Sequence, residues 1–428
     1  MRTAFRIATL TIEIIERRKI SFDKAFNLAV KKVEKIELSQ AYRLAWRALT
    51  KYMLSDNIIM TTLGKDIPLR RKCAFRVGFF LVYYEHLHPE VLKRISGGLL
   101  PGRFIDILKK IRKEDEYSLL PEGPEDLVLA IKYSHPRWLV HKLKLAYGGD
   151  LINILKANEK RVIWLRVNKF KADEDRVEKL LDKENVKFTK DKDIPGLYRL
   201  DESEVVPSNL EVVRRNLAII QDKASILVVY ALRPEKHDLI LDACAAPGMK
   251  TLLILEMLNR SGRIVALDIS RKRTISMKYL LKKYYGDATN VDILTTDSSN
   301  ISFLKKFDKA LVDAPCTNSG AINSDPALRI ILRDTTDVDI KRLKSIQTRI
   351  LTNSLKYSDK YVIYSTCSII PDECEDIIRH IKNLRYKIDK IELEVGSTGY
   401  GFDDVAKKSV RLLPIHGTAG FFISKVRP

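Results

Sequence analysis

Leu239-Ile240-Leu241-Asp242-Ala243-Cys244-Ala245-Ala246-Pro247-Gly248-Met249-Lys250-Thr251 is the stretch that decides the fold. Its apolar start reads as a short strand. The small residues that follow read as a turn whose backbone can approach a ligand closely, and Thr251 onward reads as the start of a helix. Strand-like runs recur downstream at Ile264–Leu267, Val291–Leu294, Lys309–Val312 and Tyr361–Tyr364, with helical segments between them. That alternation predicts an α/β fold over residues 223–428, a doubly wound, mainly parallel Rossmann-like sheet. Ligands of such sheets sit beyond the carboxyl ends of the strands. Asp268 closes the next strand, where an acid suits the two hydroxyl donors of a ribose. Asp297 ends the third, where a carboxylate or its neighbouring backbone can meet an adenine edge. A glycine-poor turn alone is equally a structural turn. With acids closing two further strands, the pattern predicts a nucleotide or S-adenosylmethionine.

Two later motifs carry the chemistry. Asp313-Ala314-Pro315-Cys316 and Tyr364-Ser365-Thr366-Cys367-Ser368 each follow a short apolar run. Carbon 5 of cytosine is not a nucleophile until a thiolate adds at carbon 6, so methylation there needs a cysteine with thiolate character. The addition pushes charge toward ring nitrogen 3, where an acid helps, and the proton on carbon 5 must leave before the enzyme is released. Asp313, Cys316 and Cys367 supply one acid and two thiols at strand ends. A cysteine after a buried strand is also commonly just a small core residue. Pro315-Cys316 further fits the single-cysteine pattern of DNA cytosine methyltransferases, in which the cysteine after proline attacks; Cys367 is then unexplained. His416, near Gly417 and Gly420, is either a site residue or a loop histidine.

The 428 residues carry a formal net charge of +21. A surplus this large points to a polyanionic partner, most often nucleic acid, or else to a Lys-rich thermophile surface. The first 150 residues hold +11 of it, which places extra RNA contacts there. Five cysteines (Cys73, Cys244, Cys316, Cys367, Cys374) without an extracellular signal argue against a disulfide framework. With no Cys-x-x-Cys pair and scattered histidines, no metal site is expected. No apolar run is long enough to cross a membrane and the N-terminus lacks a signal-peptide core, so a cytoplasmic protein is expected; a monomer is expected separately.

Residues 1–145 read as an all-α bundle. Phe26, Ala29, Val30 and Val33 form one helical stripe, and Ala41, Leu44, Ala45, Ala48 and Tyr52 a second. Breaks fall at Gly64, Ser96-Gly97-Gly98 and Pro121-Glu122-Gly123-Pro124, and a further helix from Pro136 ends at Gly148-Gly149. Residues 146–222 read as a linker helix and a small α+β, RRM-like module, with strands at Val162–Val167, Val186–Phe188 and Tyr198–Leu200.

Taken in order, Asp-Ala-Cys-Ala-Ala-Pro-Gly-x-Lys-Thr at 242–251, Asp-Ala-Pro-Cys at 313–316 and Ser-Thr-Cys-Ser at 365–368 resemble the signatures of the RNA cytosine-5 methyltransferase family, often called the Sun or Fmu family. Gln221-Asp222-Lys223-Ala224-Ser225 and Gly420-Phe421-Phe422 also look like family elements. Ser134-His135-Pro136-Arg137-Trp138 and Trp164-Leu165-Arg166-Val167-Asn168 extend the match upstream, and the helical N-terminus is similar to a NusB-like RNA-binding domain.

The resemblance implies an S-adenosylmethionine-dependent RNA (cytosine-5) methyltransferase acting on a flipped or unpaired base. It implies that Cys244, Ala245, Ala246, Pro247, Gly248, Met249 and Lys250 hold the methionine and ribose part of the cofactor. Asp268 would take the ribose hydroxyls, Arg273 support that pocket, and Asp297 lie near the adenine. Asp313 would sit between methyl donor and cytosine, with Lys250 reaching toward the base. Cys367 would be the nucleophile, and Cys316 would assist proton removal and release. Met249 stands where the family usually has a second glycine, and Thr317-Asn318-Ser319-Gly320 is looser than the usual Ser-Gly-x-Gly. The NusB-like domain favours ribosomal over transfer RNA; a non-catalytic RNA-binding assembly factor is the remaining alternative.

Overall fold

The computed structural model describes residues 1–33, 38–64, 66–200 and 206–428. The chain divides into two compact units, Met1–Lys160 with Ile322–Thr335, and Arg161–Ala321 with Thr336–Pro428.

The first unit is helical. Helices span Arg2–Arg18, Phe22–Val30, Leu38–Thr50, Tyr52–Leu63, Leu69–Phe79, Pro89–Ile95, Gly102–Ile111, Glu125–Tyr133, Arg137–Tyr147 and Leu151–Ala157. Ala41, Leu44, Ala45 and Ala48 bury one stripe of the third helix. The first stripe is shorter than its spacing predicts: the helix ends at Val30, and Val33 lies in the turn beyond it. Gly64 and Gly148 take positive φ where helices stop.

Residues Ile322–Thr335 also belong to this unit, although they follow the Asp-Ala-Pro-Cys motif in the chain. The reason is Arg329, which is fully buried. Its guanidinium donates to the carbonyls of Ser134 at 3.0 Å and Asn158 at 2.7 Å, and its own carbonyl accepts from the Tyr52 hydroxyl at 3.1 Å. Trp138 donates to Leu332 O at 2.8 Å, and His135 is buried against Tyr133 O and Asn158. The Ser-His-Pro-Arg-Trp motif is therefore a receptor for this segment.

The second unit holds two sheets. The smaller is antiparallel, in the order β2-β3-β1-β4, with β1 (Ile163–Val167), β2 (Phe188–Lys190), β3 (Leu197–Leu200) and β4 (Ala218–Ile220). The helix Glu174–Lys183 buries Val177 and Leu181 against it.

The larger sheet contains β5 (Leu239–Asp242), β6 (Arg263–Asp268), β7 (Val291–Thr295), β8 (Phe307–Asp313), β9 (Ser358–Thr366), β10 (Lys387–Asp389), β11 (Ser397–Thr398), β12 (Val410–Leu412) and β13 (Phe421–Arg427). Its order is β11-β12-β13-β9-β8-β5-β6-β7, with β10 also pairing β13. β5 to β9 pair in parallel, and the C-terminal strands add on antiparallel through β13. Both faces are covered, which is why these strands read as apolar runs rather than alternations. Ile240, Ile264, Leu311 and Ile363 pack under the helices Lys223–Leu232, Met249–Met257 and Arg271–Tyr284. Leu241, Leu267, Val312 and Tyr364 pack under Asp337–Lys356 and Glu375–Asn383. Chain order reverses between β5 and β8, which makes their carboxyl ends the switch point where ligands bind.

Candidate active site

At that switch point lies a cavity of about 440 Å³, whose walls include Cys244, Asp268, Asp297, Asp313, Cys316 and Cys367. Gly248 has φ +104° and caps the helix Met249–Met257; a Cβ there would come within 2.8 Å of Met277. Met249 is the first helical residue, so the left-handed conformation falls on Gly248 and methionine fits without strain. The helix thus starts two residues earlier than the sequence predicts.

Asp268 is the buried last residue of β6. It accepts from Ser270 N at 2.9 Å and pairs with Arg273 at 3.2 Å, while Arg273 also donates to the Ala246 carbonyl of the turn. Arg273 therefore ties the turn to the acid. β7 stops at Thr295, so Asp297 lies in the turn after the third strand rather than ending it. Its carboxylate accepts from Ser299 N at 2.9 Å, a bond that holds its pKa below the usual range. Ile269 is 72% exposed on the same wall. An acid for a ribose diol, an apolar wall for a purine and a small-residue turn form a donor set that fits S-adenosylmethionine. Asp268→Asn removes one carboxylate oxygen from that set and is expected to weaken S-adenosylmethionine binding roughly tenfold, with the fold intact, by titration calorimetry.

The other end of the cavity carries the reactive groups. Asp313 ends β8, directly opposite Ser365 of β9, whose hydroxyl donates to it at 2.9 Å. Lys250 Nζ lies 2.7 Å from the other Asp313 oxygen and 5.2 Å from the centre of the Phe421 ring. Burial opposes the Lys250 charge, but Asp313 outweighs it and holds the ammonium above its ordinary pKa. Burial pushes the Asp242 carboxyl, bonded by Thr251 at 2.7 Å, up to about 7. Cys316 Sγ and Cys367 Sγ are 3.3 Å apart, and Cys367 donates to Asn318 Oδ1 at 2.8 Å. The hydrogen bond to Cys367, burial and the charges of Cys367 and Glu373 together push the Cys316 thiol well above its ordinary value.

Three loops bring the thiols together. Gly320 N donates to Cys367 O at 3.0 Å, and Gly420 N donates to Gly320 O at 2.7 Å. A Cβ on Gly320 would fall 2.2 Å from Gly420 O, so both glycines are required by close backbone approach. Residues 314–321 form a loop without a helix before the chain enters the other unit. Asp222 of the Gln-Asp-Lys motif caps the helix Lys223–Leu232 and accepts from Ala419 N at 3.1 Å. His416 accepts from Leu413 N at 3.0 Å and is a loop residue outside the cavity wall. Cys73 and Cys374 are buried away from it.

Asn318, Ile269 and Glu373 carry no signal in the linear sequence. Glu373 is a lone acid in a Pro-Asp-Glu turn, and only its burial against both cysteine loops marks it. Among the described residues no group of His, Cys, Asp and Glu is arranged to hold a metal ion, and no helix is long and apolar enough to cross a membrane.

Fold and site together define a Rossmann-like, S-adenosylmethionine-dependent methyltransferase. Residues 229–427 match the model of the 16S rRNA methyltransferase RsmB/F family, and residues 135–206 match that family's ferredoxin-like domain. A probable ribosomal RNA small subunit methyltransferase B from Coxiella burnetii is 30% identical over 365 residues, covering 81% of this chain and 82% of the relative. The solved structure of PH0851 superposes with a TM-score of 0.83 over 100% of this chain and 99% of its own, at 24% identity. A methyltransferase homolog from Pyrococcus horikoshii gives a TM-score of 0.62 over 72% and 99%, at 27% identity. The chain belongs to the 16S rRNA methyltransferase RsmB/F family, a family of S-adenosylmethionine-dependent RNA methyltransferases.

Proposed function

We propose that the protein methylates carbon 5 of a cytosine in ribosomal RNA through a covalent Cys367–cytosine intermediate. The observation that carries this is the pair of thiols 3.3 Å apart, beside the Lys250–Asp313 pair, on the wall of the cavity that also holds Asp268. Bound S-adenosylmethionine supplies the electrophilic methyl group. Cys367, as thiolate, adds to carbon 6 of the base, and the ring electrons move toward nitrogen 3, which takes a proton from the Lys250–Asp313 pair and returns it when the thiol leaves. Lys250 holds Asp313 and faces the same charge. Carbon 5 takes the methyl group, its proton passes to the Cys316 sulfur, and the carbon–sulfur bond breaks to restore the Cys367 thiolate.

Residues 1–145 and the module at 146–222 supply phosphate and shape contacts to the RNA, in keeping with the net charge of +21. The ribosomal substrate is supported by the relatives, named as small-subunit ribosomal RNA methyltransferases; a transfer RNA would need the same chemistry.

The test incubates purified protein and labelled S-adenosylmethionine with separated ribosomal and transfer RNA, then digests to nucleosides. Label in 5-methylcytosine of ribosomal RNA is expected. Label only in transfer RNA would overturn the substrate, and label in another nucleoside would overturn the chemistry.

A further inference from the structure

Glu373 is fully buried, yet its side chain reaches residues that flank both thiols. One oxygen accepts from Thr317 N at 2.9 Å and the other from the Thr317 hydroxyl at 2.6 Å, immediately after Cys316. Gln347 donates to Glu373 at 3.1 Å and to Pro315 O at 2.7 Å, immediately before Cys316. The Ser368 hydroxyl, immediately after Cys367, also bonds to it. A buried carboxylate with this many donors is a high-stakes fixture, since each bond it lost would leave a desolvated group unpaired.

We propose that Glu373 is a positioning residue that holds the two thiols in their working geometry: it fixes the backbone on both sides of Cys316 and bonds to Ser368, immediately after Cys367. This role rests on the covalent chemistry proposed above. The Tyr364 hydroxyl donates to Glu373 O at 2.8 Å and adds a further bond to the hub.

The experiment reads two quantities. In a Cys367→Ala background, alkylation of Cys316 by iodoacetamide is followed by mass spectrometry from about pH 6 to about 10. Glu373→Gln replaces one acceptor oxygen by a donor, loosens the Cys316 loop and is expected to raise the Cys316 alkylation rate about tenfold across that range. An unchanged rate would show that the loop holds without Glu373 and overturn the proposal. In the enzyme with both cysteines, Glu373→Gln is expected to accumulate a denaturation-resistant RNA adduct on a gel, and wild-type turnover without adduct would overturn it. If Glu373→Gln fails to retain S-adenosylmethionine, Thr317→Val replaces it. That variant removes one bond of the hub, so it should raise the Cys316 alkylation rate and accumulate adduct, and wild-type turnover without adduct would again overturn the proposal. If Cys316→Ala gives no adduct on the same gel, the covalent chemistry itself has failed, and the Cys316 alkylation rate alone decides the role of Glu373.

Discussion

Cys367→Ala is expected to end both methyl transfer and covalent capture of RNA, with a loss of turnover on the order of 10⁴-fold or more. Without a thiolate at carbon 6, carbon 5 stays non-nucleophilic, and neither the cofactor pocket nor Asp313 can compensate. The side chain is only half-buried at the end of β9, so its truncation leaves no core cavity. Asp268 and Arg273, which line the cofactor end, are untouched. S-adenosylmethionine should therefore bind Cys367→Ala as it binds the wild type. Calorimetry beside the methylation assay separates a lost nucleophile from a lost fold.

Cys316→Ala is expected to fail at the opposite end of the cycle. Attack by Cys367 survives, methyl transfer follows, and release stalls, so a denaturation-resistant protein–RNA adduct should accumulate. Turnover should fall by on the order of 10³-fold, the scale of a lost proton-transfer group. The readout is a band of retarded protein on a denaturing gel that carries the methyl label. The two variants discriminate between the thiols because their outcomes differ in kind. Were Cys316 the attacking residue, as the Pro-Cys pattern of DNA cytosine methyltransferases allows, Cys367→Ala would be the variant that keeps an adduct.

Much of the fold was legible because short apolar runs and turn residues are local. Strands at 239–242, 263–268, 307–313 and 358–366 follow from runs that both faces of a parallel sheet must bury. Asp268 and Asp313 could be read as strand-end acids from their place after such runs. Asp297 was placed less well, because a strand's last residue depends on where its ladder stops, and β7 stops at Thr295. Val33 was assigned to a helix because periodicity continues through a turn that ends the hydrogen bonding.

The excursion of Ile322–Thr335 into the helical unit had no such signal. Ala327-Leu328-Arg329 looks like any helical fragment, and the carbonyls of Tyr133, Ser134 and Asn158, far away in sequence, are what let Arg329 be buried. Glu373 is the same case in the catalytic unit. By itself, the sequence determined the elements, the acids and the thiols, since each is set by residue type and local spacing. The tertiary structure alone decided which of them meet: the 3.3 Å between Cys316 and Cys367, the Gly320–Gly420 approach and the buried hub at Glu373. Those contacts join residues tens of positions apart, and their energies come from desolvation and packing that no local window contains.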